Sequence, residues 1–170
     1  MVSAILYSLA ALVAALIRRK KIMLAIASDH GGFALKGEII KYLEKKGIDY
    51  KDYGTYDESS VDYPTYAEAA ANAVRDGICD KGILVCGTGI GISIAANKVR
   101  GIRCALCSEP VSAALSRQHN NANMLALGGR TIGTVMALEI VETWLNTDFL
   151  SDQQRHVNRV NMISEIENKQ

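Results

Sequence analysis

A chain of 170 residues, 49% of them apolar, is long enough to bury one continuous core, and no proline- or serine-rich linker divides it. Its formal charge of +1, with basic and acidic side chains interspersed, excludes a nucleic-acid binder that works through a dense basic face. The four cysteines, Cys79, Cys86, Cys104 and Cys107, include a single C-x-x-C pair instead of the double pair of a zinc site, so reduced thiols in the cytoplasm and no metal are expected.

Residues 1–21 differ in composition from the rest of the chain. Val2 to Ile17 carries no charge and leads into Arg18-Arg19-Lys20-Lys21. As a helix it would span roughly 24 Å at about 1.5 Å per residue, short of the ~30 Å hydrocarbon layer of a bilayer. Its charges come after the apolar run, the reverse of a secretory signal, so export and membrane insertion are both disfavoured. Ile5, Leu9, Leu12 and Leu16 recur at helical spacing, flanked by Leu6, Val13 and Ile17. An appended packing helix over 2–17 is expected, with 22–170 as the main domain.

From Ile22 onward, short apolar runs alternate with amphipathic stretches. Strands are predicted at Ile22 to Ala27, Ile48 to Asp52, Gly82 to Cys86, Arg103 to Leu106 and Met124 to Leu127. None alternates strictly, which suits strands covered on both faces. Helices are predicted at Phe33 to Lys46, Tyr63 to Asp76, Ile90 to Val99, Pro110 to His119, Thr134 to Asn146 and Asp152 to Glu167, the first two closed by Gly47 and Gly77. Regular βα alternation predicts a three-layer, doubly wound α/β domain with a five-stranded parallel sheet.

In such a domain, ligands bind beyond the carboxyl ends of the strands, where strand order reverses. Cys86-Gly87-Thr88-Gly89-Ile90-Gly91 lies between the third strand and its helix. Its amides, at a helix start, suit an anion or a developing oxyanion, and the cysteine on its lip is a candidate base or nucleophile. The spacing is neither the G-x-G-x-x-G of dinucleotide binding nor a P-loop, so nucleotide cofactors are demoted. Ser28-Asp29-His30-Gly31-Gly32 ends the first strand, and Gly128-Gly129-Arg130 comes after the fifth. His119-Asn120 is expected to join them at the same edge. Any one of these residues alone would read as a cap or a surface group; their convergence favours a site.

These motifs, with Asp62-Tyr63-Pro64, Ala95-Ala96-Asn97-Lys98, His119-Asn120-x-Ala122-Asn123 and Arg155-His156-x-x-Arg159, resemble the type B ribose-5-phosphate isomerases and the related galactose-6-phosphate isomerase subunits. The resemblance covers about Ile22 to Glu167 and leaves residues 1–21 without a counterpart. It implies a Rossmann-like aldose–ketose isomerase without metal or organic cofactor. Cys86 marks the subtype that uses cysteine as base, because Ile92 supplies no carboxylate.

Ring opening and proton transfer through an enediolate then distribute the roles. Cys86 takes the carbon proton, and Gly87, Thr88, Gly89, Ile90 and Gly91 supply oxyanion donors. Thr88 relays a proton between oxygens. His119 opens the ring with help from Asp29, and Asn120 holds a sugar oxygen. Arg155 and Arg159, one helical turn apart, grip the phosphate with His30 and Arg130. The family likeness further implies that the final helix completes the site of a neighbouring subunit, in a homodimer or a higher homo-oligomer. Hexose 6-phosphates such as allose or galactose 6-phosphate remain the alternative substrates. A non-catalytic sugar-phosphate binder, or an isomerase scaffold fused to an oligomerisation helix, are the readings from other classes.

Overall fold

The computed structural model describes residues 22–169, so the expected helix over 2–17 lies outside the described residues. Five strands, β1 (Met23–Ser28), β2 (Asp49–Asp52), β3 (Lys81–Cys86), β4 (Cys104–Leu106) and β5 (Met124–Gly128), form one parallel sheet in the order β2-β1-β3-β5-β4. Six helices are interleaved with them or close the chain: α1 (Phe33–Lys46), α2 (Tyr63–Arg75), α3 (Ile90–Ala96), α4 (Pro110–Asn120), α5 (Thr134–Leu145) and α6 (Gln154–Asn168). The doubly wound parallel sheet predicted from the sequence is the fold observed. Among the described residues, no helix is long and apolar enough to cross a membrane.

Strand residues point alternately to the two faces, and their sizes differ by face. Leu24, Ile26, Ile83, Val85, Leu125 and Leu127 pack with α1 and α5, where Trp144 is wholly buried. Ala25, Ala27, Leu84, Cys86 and Ala126 face α2 and α3. There Ala67, Ala70 and Ala71 are each 0% exposed, so helix α2 lies close on the small side chains of β1. The absence of strict alternation in the sequence is a consequence of this arrangement, since both faces are apolar and only the side-chain volume changes.

Helix α1 ends where Gly47 adopts φ 65°, a left-handed conformation that glycine accepts without a Cβ clash. Helix α3 is shorter than predicted, closing at Ala96 instead of Val99. The Asn97 side chain explains the stop: its Nδ2 donates to the Ser93 and Cys104 carbonyls at 2.9 Å, and its Oδ1 accepts from the Cys104 amide at 2.8 Å. Asn97 thereby ties the end of α3 to the amino end of β4. The final helix starts at Gln154, two residues after the predicted Asp152.

The sheet order reverses between β1 and β3. Residues Ser28 and Val85 are partners in register, as are Cys86 and Gly128. The carboxyl ends of three central strands therefore finish side by side, and the loops that leave them share one edge.

Candidate active site

Three loops meet at that edge. The Asp29 amide donates to the Val85 carbonyl at 3.2 Å, and the Asp29 carboxylate accepts from the Gly32 amide at 3.0 Å. The Gly129 and Arg130 amides donate to the Cys86 and Gly87 carbonyls at 2.8 and 2.9 Å. Backbone bonds thus hold Asp29, His30, Cys86, Gly87 and Arg130 in one cluster. Asp29 is buried, 7% exposed, and spends one oxygen on closing its own turn, whereas Arg130 is exposed.

Close approach of main chains makes Gly32 indispensable. A Cβ on Gly32 would lie 2.4 Å from the Val85 carbonyl oxygen and 2.9 Å from the Cys86 nitrogen. Both neighbours are backbone and have no rotamer with which to yield. Gly32→Ala should therefore destabilise the fold by about 1–3 kcal/mol, as overpacking does, and displace the Cys86 loop. Urea unfolding checks this result; wild-type stability would show that the loops give way without cost.

The Cys86 loop itself is built around sulfur. Cys86 is 5% exposed, and its Sγ accepts the Gly89 amide at 3.1 Å. Gly89 sits at φ 77°, which favours glycine, and a Cβ there would press on Leu106 and the Leu127 backbone. The Thr88 side chain is exposed, and its Oγ1 accepts from the Ile90 amide at 3.3 Å. Among the described residues, the amides of Gly87, Thr88 and Gly91 have no hydrogen-bond partner. The sequence assigned no catalytic or binding role to Tyr63, yet its ring lies over Gly91, whose Cβ would fall 2.6 Å from the ring carbon Cζ. The Asp62-Tyr63-Pro64 motif beside the start of α2 was the signal available for it.

His119 and Asn120 are not at this edge within one chain, contrary to the expectation from sequence. Helix α4 leaves the carboxyl end of β4 and runs back, so its last residues reach the amino end of the sheet. There Arg103, just before β4, donates from Nε to the Asn120 carbonyl at 3.1 Å. Strands of this length rise about 3.3 Å per residue, which separates the two edges by roughly 15–20 Å. A single sugar phosphate does not bridge that gap. Asp29 accordingly does not assist His119 of its own chain.

At the amino edge a second group forms. The rings of His119 and His156 stack with centroids 4.3 Å apart and planes 7° from parallel. His156 is 2% exposed, its Nε2 accepts from Arg155 Nε at 3.3 Å, and its Nδ1 has no partner among the described residues. Burial first, then the charge of His119 and of Arg155 and Arg159, holds the His156 pKa below the usual imidazole value. Arg155 and Arg159 are exposed at the start of α6. A groove of about 640 Å³ adjoins this group, lined by Lys98, Arg103, Asn120, Ile163 and Ile166 among others, and Cys86 does not line it.

The sequence residues therefore fall into two clusters on opposite edges: Asp29, His30, Cys86 to Gly91 and Arg130 on one, His119, Asn120, Arg155 and Arg159 on the other. His156, which links the histidine to the arginines, had a signal only in its position between the two arginines.

Residues 24–163 match the family described as Ribose/Galactose Isomerase. The chain is 49% identical over 146 residues to ribose-5-phosphate isomerase B of Escherichia coli strain K12, covering 86% of this chain and 97% of that one. Its fold superimposes on Clostridium thermocellum ribose-5-phosphate isomerase B with a TM-score of 0.85 at 52% identity, covering 87% and 99% of the two chains. The Mycoplasma genitalium ribose-5-phosphate isomerase B solved with bound ribulose 5-phosphate gives a TM-score of 0.83 at 38% identity, over 89% of this chain and all of that one.

Proposed function

The chain belongs to the ribose/galactose isomerase family, and from this premise we propose that it interconverts ribose 5-phosphate and ribulose 5-phosphate. The observation that carries the reading is the buried Cys86 sulfur at the centre of three glycine loops, beside amides that no other described residue occupies. Cys86 removes the proton from the carbon beside the carbonyl and returns it to the neighbouring carbon. The amides of Gly87, Thr88 and Gly91 stabilise the enediolate oxygen, a task for which one well-placed donor is worth about 3 kcal/mol. Thr88 Oγ1, exposed on the same loop, moves a proton between the two oxygens.

His119 opens the sugar ring, Asn120 holds a sugar oxygen, and Arg155 and Arg159 bind the phosphate with His30 and Arg130. Since the two clusters lie on opposite edges of one chain, the reading requires a second copy, whose His119 cluster faces the Cys86 of the first. A homodimer with each site completed in trans is the smallest assembly that satisfies it. The four free cysteines and a phosphorylated metabolite as substrate support a cytoplasmic setting.

The test is incubation of ribose 5-phosphate with the full chain in deuterated water, with product and its C1 deuterium tracked by NMR. Ketose formation with deuterium at C1 of the ketose, and at C2 of recovered aldose, is expected; turnover confined to hexose 6-phosphates would move the substrate assignment, and no turnover of any phosphosugar would defeat it. Within the same assay, Arg155→Ala and Arg159→Ala should each raise KM by roughly 10- to 100-fold, as for lost charge-assisted hydrogen bonds of about 1.5–3 kcal/mol. An unchanged KM in both would reduce the arginines to a solvated helix face.

A further inference from the structure

One segment near the Cys86 cluster, the loop between β2 and α2, is held at both ends by bonds unlike those of an ordinary connection. At its root, the Gly54 carbonyl accepts from the Ser28 amide at 2.6 Å, and the Thr55 amide donates to the Ser28 carbonyl at 2.7 Å. Lys36 reinforces that root from α1. Its side chain is 2% exposed, and Nζ donates to both Asp52 carboxylate oxygens at 2.7 and 2.8 Å and to the Thr55 carbonyl at 2.7 Å. The rings of Phe33 and Tyr56 stand 5.7 and 5.4 Å from the same ammonium. A lysine so enclosed uses all three of its protons on loop-root acceptors and has none left for solvent.

At the loop's far end the Val61 amide donates to Nδ1 of His30 at 3.2 Å. A backbone N–H donates only, so the ring nitrogen that receives it carries no proton. The proton of the neutral imidazole must then sit on Nε2. His30 lies between Asp29 and Gly31, a residue whose Cβ would come within 3.4 Å of an Arg130 guanidinium nitrogen, so its backbone adjoins the arginine proposed above to bind phosphate.

We infer that the 53–61 loop is a positioning device for His30: Lys36 fixes its root, and the Val61 amide fixes the imidazole as the Nε2–H tautomer, which offers the phosphosugar a neutral hydrogen-bond donor. The loop thereby selects an acceptor oxygen at that position, and it acts on binding instead of on the proton transfers at carbon. The substrate part of this inference rests on the isomerase reading; the tautomer does not.

Long-range proton–nitrogen NMR spectra of the ¹⁵N-histidine-labelled full chain at pH 8 decide the tautomer directly, with the His30 signals assigned by their loss in His30→Gln. Wild type is expected to show Nδ1 as the bare acceptor and Nε2 as the protonated nitrogen. Val61→Pro removes the donor at a half-buried loop residue, fixing its φ and restricting Ser60 as well, and should shift those signals toward the mixed pattern of a free imidazole; Val61→Ala, which keeps the amide, should not. In activity, Val61→Pro should raise KM about tenfold with kcat within about twofold. Lys36→Met should loosen the ring in the same direction. A protonated Nδ1 in wild type, or His30 signals unmoved by both Val61→Pro and Lys36→Met, would overturn the inference. A fixed tautomer in a chain that turns over no phosphosugar would instead retain the device and remove the isomerase reading.

Discussion

Cys86→Ala is expected to lower turnover by about 10³-fold while substrate binding persists. General-base catalysis contributes roughly 10²–10⁴-fold, and the buried Cys86 sulfur stands at the root of the loop whose amides face the reacting oxygens. The substitution leaves the Gly89 amide without its sulfur acceptor and a small void where the thiol was. Together these should cost only about 1–2 kcal/mol, so the variant should stay folded. KM should hardly move, since the sulfur acts on a proton in flight and not on the phosphate. Near-normal turnover with deuterium still entering at C1 of the ketose would remove Cys86 from the role of base. Loss of folding in urea titrations would leave Cys86→Ser as the test, because the hydroxyl can keep accepting from Gly89 yet is a far weaker base at neutral pH.

The second large effect belongs to a mixture. Cys86→Ala and Arg159→Ala proteins, each nearly inactive alone when assayed at substrate well below the wild-type KM, should regain activity when their subunits exchange. In a hybrid dimer one site pairs an intact Cys86 edge with an intact Arg159 edge, while the other site carries both defects. With random exchange, half the dimers are hybrid and half their sites are sound, so about one quarter of wild-type activity should return. His119→Asn should complement Cys86→Ala in the same way, because His119 shares its edge with the arginines through the His156 stack. It should fail to complement Arg159→Ala, since both defects then fall on the same edge of the chain and no hybrid site is whole. Absence of rescue after verified exchange would show that each chain completes its own site, and the opposed clusters would need another explanation.

Chain geometry accounts for which features can be read from residues alone. The βα alternation is local: apolar runs of strand length, glycine stops such as Gly47, and helix starts such as Pro110 all lie within a few residues of the element they define. Helix ends set by distant partners were less legible, as at α3, where the Asn97 side chain reaches Cys104 across the turn. Tyr63 over Gly91 and Val61 on His30 are contacts between segments tens of residues apart, and no spacing rule reports them.

The kind of sheet, and the loops that meet at its carboxyl edge with the candidate residues Asp29, His30, Cys86 and Arg130, were determined by the sequence, because a parallel sheet obliges strand-end loops to converge. The residue types of the second cluster were equally plain. Only the tertiary structure decided that His119 and Asn120 stand at the far edge, stacked through His119 on His156 and beside Arg155 and Arg159. A connection that returns through a helix places its two ends on opposite edges of the sheet, and a residue at the end of α4 inherits the amino edge however close its number lies to β5.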